Sequence, residues 1–229
     1  MNVEFRRPAG LLLGGLGLCL AMPDAAQAET TSLRYVGTAA VVATTMQLPV
    51  QATPVTFYLG AYNIQEQGGA SFLAYCSDPA QFSSSDYQSY DKVTLADHLA
   101  ATPTLRQDME RLFGHAYQST LGNTVKAAGF SMALWEIWRD DRNLDTGIVQ
   151  AIAATDAAAR AEAQTLLDSL PTWTSTGTPY RLTAYTNYTD ATHYQDYISA
   201  SPVPEPGNYA LMLAGLGSLV ATIGRRRTR

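Results

Sequence analysis

Two periods alternate along the chain. Residues 33–44 mix β-branched and aromatic positions (Tyr35, Val36, Val41 and Val42 stand out), and over 55–64 the apolar positions fall on every second residue, where Val55, Phe57 and Leu59 share one face. The same period returns over 70–76, placing Phe72, Ala74 and Cys76 together, and these three stretches are predicted strands. Gln67-Gly68-Gly69 is a turn signal that makes the second and third a hairpin, and residues 77–90 follow as a polar loop. The spacing then becomes helical. Thr102-Pro103 opens a helix carrying Leu105, Met109, Leu112 and Phe113. Gly122-Asn123 breaks it, and Asn123 caps a second helix over 124–139 with Phe130, Ala133, Leu134, Ile137 and Trp138 on one face. Residues 147–153 are ambiguous between loop and a short extended segment. A third, alanine-rich helix covers 155–170, with Asp156 in its first turn and Pro171 as its stop. Strands resume over 180–188 and 194–198. Strands, then helices, then strands predict an α+β domain, a β-rich part with packed helices, rather than a parallel βαβ sheet.

The two ends have other patterns. Arg6 and Arg7 precede an apolar run over 11–22, and Ala26-Gln27-Ala28 has the small-x-small form of a signal peptidase site, so cleavage is expected after Ala28. Cys19 is then lost with the signal. At the other end, alternating prolines in Pro202-Val203-Pro204-Glu205-Pro206 hold the backbone extended. An apolar run over 209–223 follows, and Arg225, Arg226, Arg227 and Arg229 close the chain. As a helix, that run reaches roughly 22 Å against a hydrocarbon core of about 30 Å, so it spans with local thinning or with its arginines snorkelling. The arginines belong on the cytoplasmic side. The expected organisation is a signal peptide (1–28), an extracytoplasmic domain (29–198), an extended linker (199–206), a single membrane helix (207–224) and a basic end (225–229).

Val203-Pro204-Glu205-Pro206, the glycine-containing apolar helix and the arginine end together resemble the PEP-CTERM sorting signal of Gram-negative bacteria. That resemblance implies an exosortase-type membrane protease or transpeptidase as partner, anchorage in the inner membrane through the C-terminal helix, and delivery to the cell surface or extracellular matrix. Without it, the same tail reads as a plain membrane anchor.

Between Glu29 and Val203 the chain carries 9 Lys+Arg and 17 Asp+Glu, a net charge of −8. No basic footprint for nucleic acid is present. One cysteine remains there, Cys76, without a partner in its own chain. Phe72-Leu73-Ala74-Tyr75-Cys76-Ser77-Asp78 and Gly129-Phe130-Ser131-Met132-Ala133-Leu134-Trp135 resemble the thioester-type domains of bacterial surface proteins, and Tyr194-Gln195-Asp196-Tyr197-Ile198 is similar to their closing strand. The resemblance implies a cysteine sulfur joined to a glutamine from the helix motif. Ser131 stands at that glutamine position and has no acyl carbon, so the expectation is a thioester-like scaffold without the bond, with Cys76, Ser131 and Trp135 as an inactive remnant; Gln81 and Gln118 are the alternative acyl donors.

Other chemistry has weaker signals. His98, His115 and His193 have no metal-binding spacing. Ser131 lacks the glycine-flanked elbow of a serine nucleophile. Glu136 lies next to Trp135 and near Trp138, a setting that can raise a carboxyl pKa, but a polar-face or backbone-capping role is the expectation. Asp140, Asp141, Asn143 and Asp145 form an acidic loop with calcium-type oxygen donors, read by default as solvated. The reading is therefore an exported surface protein with a structural or interaction role in the exopolysaccharide or biofilm matrix, not an enzyme, with no cofactor and no resident metal. The alternatives are a covalent adhesin using Cys76, or an extracellular polysaccharide-acting enzyme using Glu136.

Overall fold

A computed structural model describes residues 28–48, 53–152, 154–187 and 193–203. Among these residues seven strands are formed: β1 (Glu29–Gln47), β2 (Val55–Glu66), β3 (Ser71–Cys76), β4 (Gln88–Thr94), β5 (Gln150–Ala151), β6 (Tyr180–Thr186) and β7 (Tyr197–Pro202). The helices are α1 (Leu95–His98), α2 (Pro103–Thr120), α3 (Thr124–Arg139) and α4 (Ala157–Ser169), the last followed by a 3-10 turn (Leu170–Thr172). The structure is sheet-rich with packed helices, in the expected α+β order.

All six larger strands pair antiparallel, and they close on themselves. The sheet runs β2-β3-β7-β6-β4-β1, and β1 also pairs with β2. Leu33 is the hinge of this ring, opposite Glu66 on β2 and Gln88 on β4. Closing a sheet of only six strands needs strong coiling, and β1 supplies it through register shifts between Tyr35 and Gly37 and between Thr38 and Ala40. Gly60 sits opposite this irregular stretch with φ near +140°, where an added Cβ would lie 1.9 Å from the Ala40 carbonyl oxygen, so a side chain is excluded there.

The ring encloses a small aromatic core. Leu33, Ile64, Ala74, Tyr90, Tyr185 and Tyr197 are buried inside it, with Tyr35, Tyr62 and Phe72 against them. The larger core lies on the other face of the strands, under the helices. Tyr75 points that way and packs on Phe130 and Phe113 with ring centroids 4.6 and 6.4 Å apart, while its hydroxyl donates to Thr120 Oγ1 at 2.7 Å.

Helix α3 is the centre of that larger core, with every residue from Ala127 to Ile137 buried. Asn123 caps it as expected, its side chain accepting the Lys126 amide at 3.0 Å. Gly129 lets α4 approach closely; a Cβ there would lie 2.5 Å from Glu162 Cβ. Asp156 is the cap of α4 rather than a first-turn residue, accepting the Ala159 amide at 2.8 Å.

Two sequence expectations shift, and one ambiguity resolves. Residues 88–90, placed in a polar loop, belong to β4. The last strand starts at Tyr197 and runs on to Pro202, so residues 199–202, assigned to the linker, are part of the sheet and pair with β6. The ambiguous 147–153 stretch contributes the two-residue strand β5 beside Met46 and Gln47. No helix among the described residues is long and apolar enough to cross a membrane. The expected membrane helix, Ala26, Pro204, Glu205, Pro206 and Arg225, Arg226 and Arg227 lie outside the described residues. Ala28 and Val203 lie just outside β1 and β7, both exposed.

Candidate functional site

Cys76 is the last residue of β3, and β7 begins opposite it: Cys76 pairs in register with Tyr197. The backbone beyond each strand then turns around the other. The Ser77 amide donates to the Asp196 carbonyl at 3.0 Å, and the Gln195 amide to the Phe82 carbonyl at 3.1 Å. Non-local pairing thus delivers Gln195 to the end of the cysteine strand.

Two side chains meet on one backbone oxygen there. The Cys76 thiol donates to the Asp78 carbonyl at 3.5 Å, and the Gln195 side-chain amide donates to the same oxygen at 2.9 Å. Gln195 Nε2 also reaches the Asp196 carbonyl at 3.1 Å. A thiol and a primary carboxamide therefore share one acceptor, and both residues are buried. From the helix side, Trp135 Nε1 donates to the Cys76 carbonyl at 2.9 Å, and its ring meets Phe57 edge-on at 5.5 Å. The tryptophan fixes the strand end that carries the sulfur.

Charge around the pair is arranged in a second layer. The Asp78 carboxylate is ion-paired with Arg139. Asp196 accepts the Asn187 amide at 2.7 Å, and its own amide donates to Gln81 Oε1 at 2.7 Å. Burial pushes the Cys76 thiol well above its ordinary range, opposed by its bond to the Asp78 carbonyl, with the Asp78 and Asp196 charges adding to the rise. Burial also raises the Asp196 carboxyl. The thiol is neutral at physiological pH and shielded from bulk reagents.

A cavity of about 210 Å³ reaches this pair. Cys76, Gln195, Gln81 and Trp135 line it, with Tyr58 and Phe82 among the aromatic residues of its wall, and these two rings are 59% and 74% exposed. No histidine or lysine is among its lining residues.

The residues proposed from the sequence separate into two groups. Cys76 and Trp135 are in the site. Ser131 is not: it is buried one turn earlier on α3, with Oγ donating to the Gly60 carbonyl at 3.3 Å, and it is absent from the cavity wall. Ser131 is engaged on Gly60 of β2, and the side-chain amide that shares an acceptor with the Cys76 thiol comes from Gln195. Of the alternative donors, Gln118 accepts from the Tyr180 hydroxyl at 3.3 Å, while Gln81 lines the cavity with its amide engaged on Asp196 at both ends. The register of β3 against β7 is the signal that finds Gln195, and it is not readable from local spacing.

The histidines lie elsewhere. His98 stacks on Trp138 at 5.7 Å, and His115 stacks on Trp173 at 4.5 Å with Nε2 3.0 Å from the Ser175 carbonyl. Glu136 departs from both of its expected roles. It is fully buried, and neither carboxylate oxygen has a hydrogen-bond partner. Burial pushes its carboxyl up to about 8, with the Asp140 and Asp141 charges adding to it. The Asn143 and Arg142 amides lie near enough to oppose that rise, but neither reaches hydrogen-bond geometry. The Asp141-x-Asn143-x-Asp145 pattern does not converge: Asp145 is ion-paired with Arg160, and Asn143 Oδ1 accepts the Asp145 amide at 3.0 Å.

No family model matches the chain, and no curated protein matches it. Among solved structures, the N-terminal thioester domain of a surface protein from Clostridium perfringens, in a cysteine-to-alanine form, superposes with a TM-score of 0.43 at 15% identity. The match covers 62% of this chain and 89% of that one. A superposition at that level leaves the reading of the site to its own geometry.

Proposed function

We propose that this chain is an exported surface protein whose domain closes an internal thioester between Cys76 and Gln195 and uses it to attach covalently to a nucleophile of the surrounding matrix. The observation that supports this is the shared Asp78 carbonyl, on which the Cys76 thiol and the Gln195 carboxamide converge. In the closing step the sulfur attacks Gln195 Cδ. The Cδ–Nε2 bond breaks, the thiol proton passes to nitrogen, and ammonia leaves. In the capture step an incoming amine or hydroxyl attacks Cδ, the C–S bond breaks, and the nucleophile's proton returns to sulfur. Holding the reactants together replaces a bimolecular encounter by a positioned one. Burial of Cys76 and Gln195 limits the water that reaches the acyl carbon.

This is single-use chemistry rather than turnover, so the chain is read as an adhesive matrix protein and not as an enzyme. The Val203-Pro204-Glu205-Pro206 motif and the arginine end fit the same role as a sorting signal. An exosortase-type protein would release the domain after β7, leaving the cavity free to meet exopolysaccharide or another matrix partner.

Intact mass of the protein recovered from the cell envelope and the medium tests the reading. The expected species begins at Glu29, ends near Pro204 and is lighter than its sequence by one ammonia, a deficit that methylamine converts to an adduct. Cys76→Ala and Gln195→Ala each remove the deficit. A native protein of full sequence mass that gives no methylamine adduct would overturn the thioester, and a mass retaining residues 209–229 would overturn the sorting step.

A further inference from the structure

The far end of α3 gathers three carboxylates. Glu136 lies in the last turn of the helix, Asp140 follows its end, and Asp141 comes next; one oxygen from each lies within 4.8 Å of the others. Arg142 makes the bend with φ +68°, which turns the chain back over the helix end. Asp140 and Asp141 are held from outside: Asp140 accepts the Asp141 and Val149 amides at 2.9 and 2.6 Å, and Asp141 accepts the Asn143 amide at 2.9 Å and the Thr146 hydroxyl at 2.7 Å. Glu136 accepts nothing, although both of its oxygens are buried.

Neighbouring cations are committed elsewhere. Arg139 is paired with Asp78, Arg142 with Asp108, and Arg160 with Asp145. Three acids thus converge with no basic side chain among them. A buried carboxylate without a partner is costly, and buried charges in proteins are paired or coordinate metals.

We propose that Glu136, Asp140 and Asp141 bind one hard divalent cation, calcium or magnesium, at the C-terminal end of α3. Oxygen donors are the ligands such ions select, and calcium–oxygen distances of about 2.4 Å let three oxygens spaced like these touch one ion. Glu136 anchors the ion from inside, Asp140 bridges, and exposed Asp141 leaves the outer side open for waters. The ion ties the helix end to the loop that returns to β5. This site is separate from the thioester and does not depend on it.

Thermal unfolding of the purified full chain tests the proposal, first in chelator and then with calcium or magnesium at about 5 mM, above the ~10⁻⁴–10⁻³ M affinity range of extracellular calcium modules. The expected result is a rise in Tm of roughly 2 °C or more with at least one ion, with the larger response naming the ion. Glu136→Gln is expected to abolish the response. Asp141→Asn, which keeps one acceptor oxygen on an exposed side chain, is expected to weaken it while leaving the fold intact. No rise with either ion, or an undiminished rise in folded Asp141→Asn, would overturn the site.

Discussion

Trp135 and Glu136 are neighbours on α3, but their side chains end in opposite settings. Trp135 reaches a region of paired polar groups: its own indole N–H, the Cys76 carbonyl, the Asp78 carbonyl and the Gln195 side-chain N–H are all engaged. Glu136 reaches a region where two carboxylate oxygens have no partner. The first arrangement is self-sufficient and suits a reaction between groups already present. The second is incomplete as protein alone and suits a ligand from outside. Two neighbouring residues of one helix thus meet opposite polar settings, which separates the proposed reactive pair from the proposed cation site.

The strongest way to break this contrast is to remove the tryptophan. Trp135→Ala deletes a fully buried ring and its bond to the Cys76 carbonyl, and is expected to cost about 3–5 kcal/mol in denaturant unfolding. Trp135→Phe keeps most of the ring and leaves the buried Cys76 carbonyl without its donor, at about 1–3 kcal/mol. Both are expected to lower the fraction of protein lacking ammonia. If Trp135→Phe unfolds at the wild-type midpoint and keeps its full ammonia deficit, the tryptophan does not position the sulfur.

How far the sequence announced these features depends on whether their cause is local. The bounds of α3 are legible because Asn123 is a local cap and the apolar face has a local period. Helix α4 and the hairpin of β2 and β3 are legible for the same reason. Residues 88–90 were not, because Tyr90 is the one buried residue of β4, and a single inward ring leaves no alternation to detect. The closure of the ring has no local signature at all; it rests on Leu33 facing two strands far away in sequence. The candidate site divides in the same way. Cys76 and Trp135 stand out as residue types in apolar segments, whereas Gln195 becomes significant through the pairing of β3 with β7. Ser131 stands out by its place in the helix motif, and its bond to the Gly60 carbonyl depends on how α3 crosses β2. Glu136 was misread because its burial depends on the loop that folds back over the helix end.

Ser131 offers a sharper and smaller test. Its hydroxyl donates to the Gly60 carbonyl, opposite the irregular stretch of β1. Ser131→Ala is expected to cost about 0.5–1.5 kcal/mol for that hydrogen bond, seen as a lower unfolding midpoint. The ammonia deficit should be unchanged, because Gln195 rather than the residue at 131 supplies the acyl carbon. Loss of the deficit in a folded Ser131→Ala protein would return the chemistry to the helix.

The smallest effect is a pair of opposed pH slopes from two carboxylates. At Glu66 the Thr31 hydroxyl donates at 2.5 Å and Lys92 lies at 3.3 Å; these hold its carboxyl below the ordinary 4.5 despite some desolvation. A depressed folded pKa gives stability that is present above the ordinary value and lost as pH falls through the folded one. Asp196, beside the thiol, goes the other way. Burial raises it above the ordinary 3.8, and Asp78 adds to the rise, against the Asn187 amide, Gln81 and Arg139. A raised folded pKa gives stability that is full below the ordinary value and lost as pH rises through the folded one. Urea midpoints measured from the acid range to neutrality in Glu66→Gln and Asp196→Asn should therefore depart from wild type in opposite senses. Glu66→Gln loses stability relative to wild type as pH rises, and Asp196→Asn gains it. If Asp196→Asn showed the Glu66→Gln trend, the hydrogen bonds to the Asp196 carboxylate would outweigh its burial, and the low-dielectric setting argued for the thioester site would fail with it.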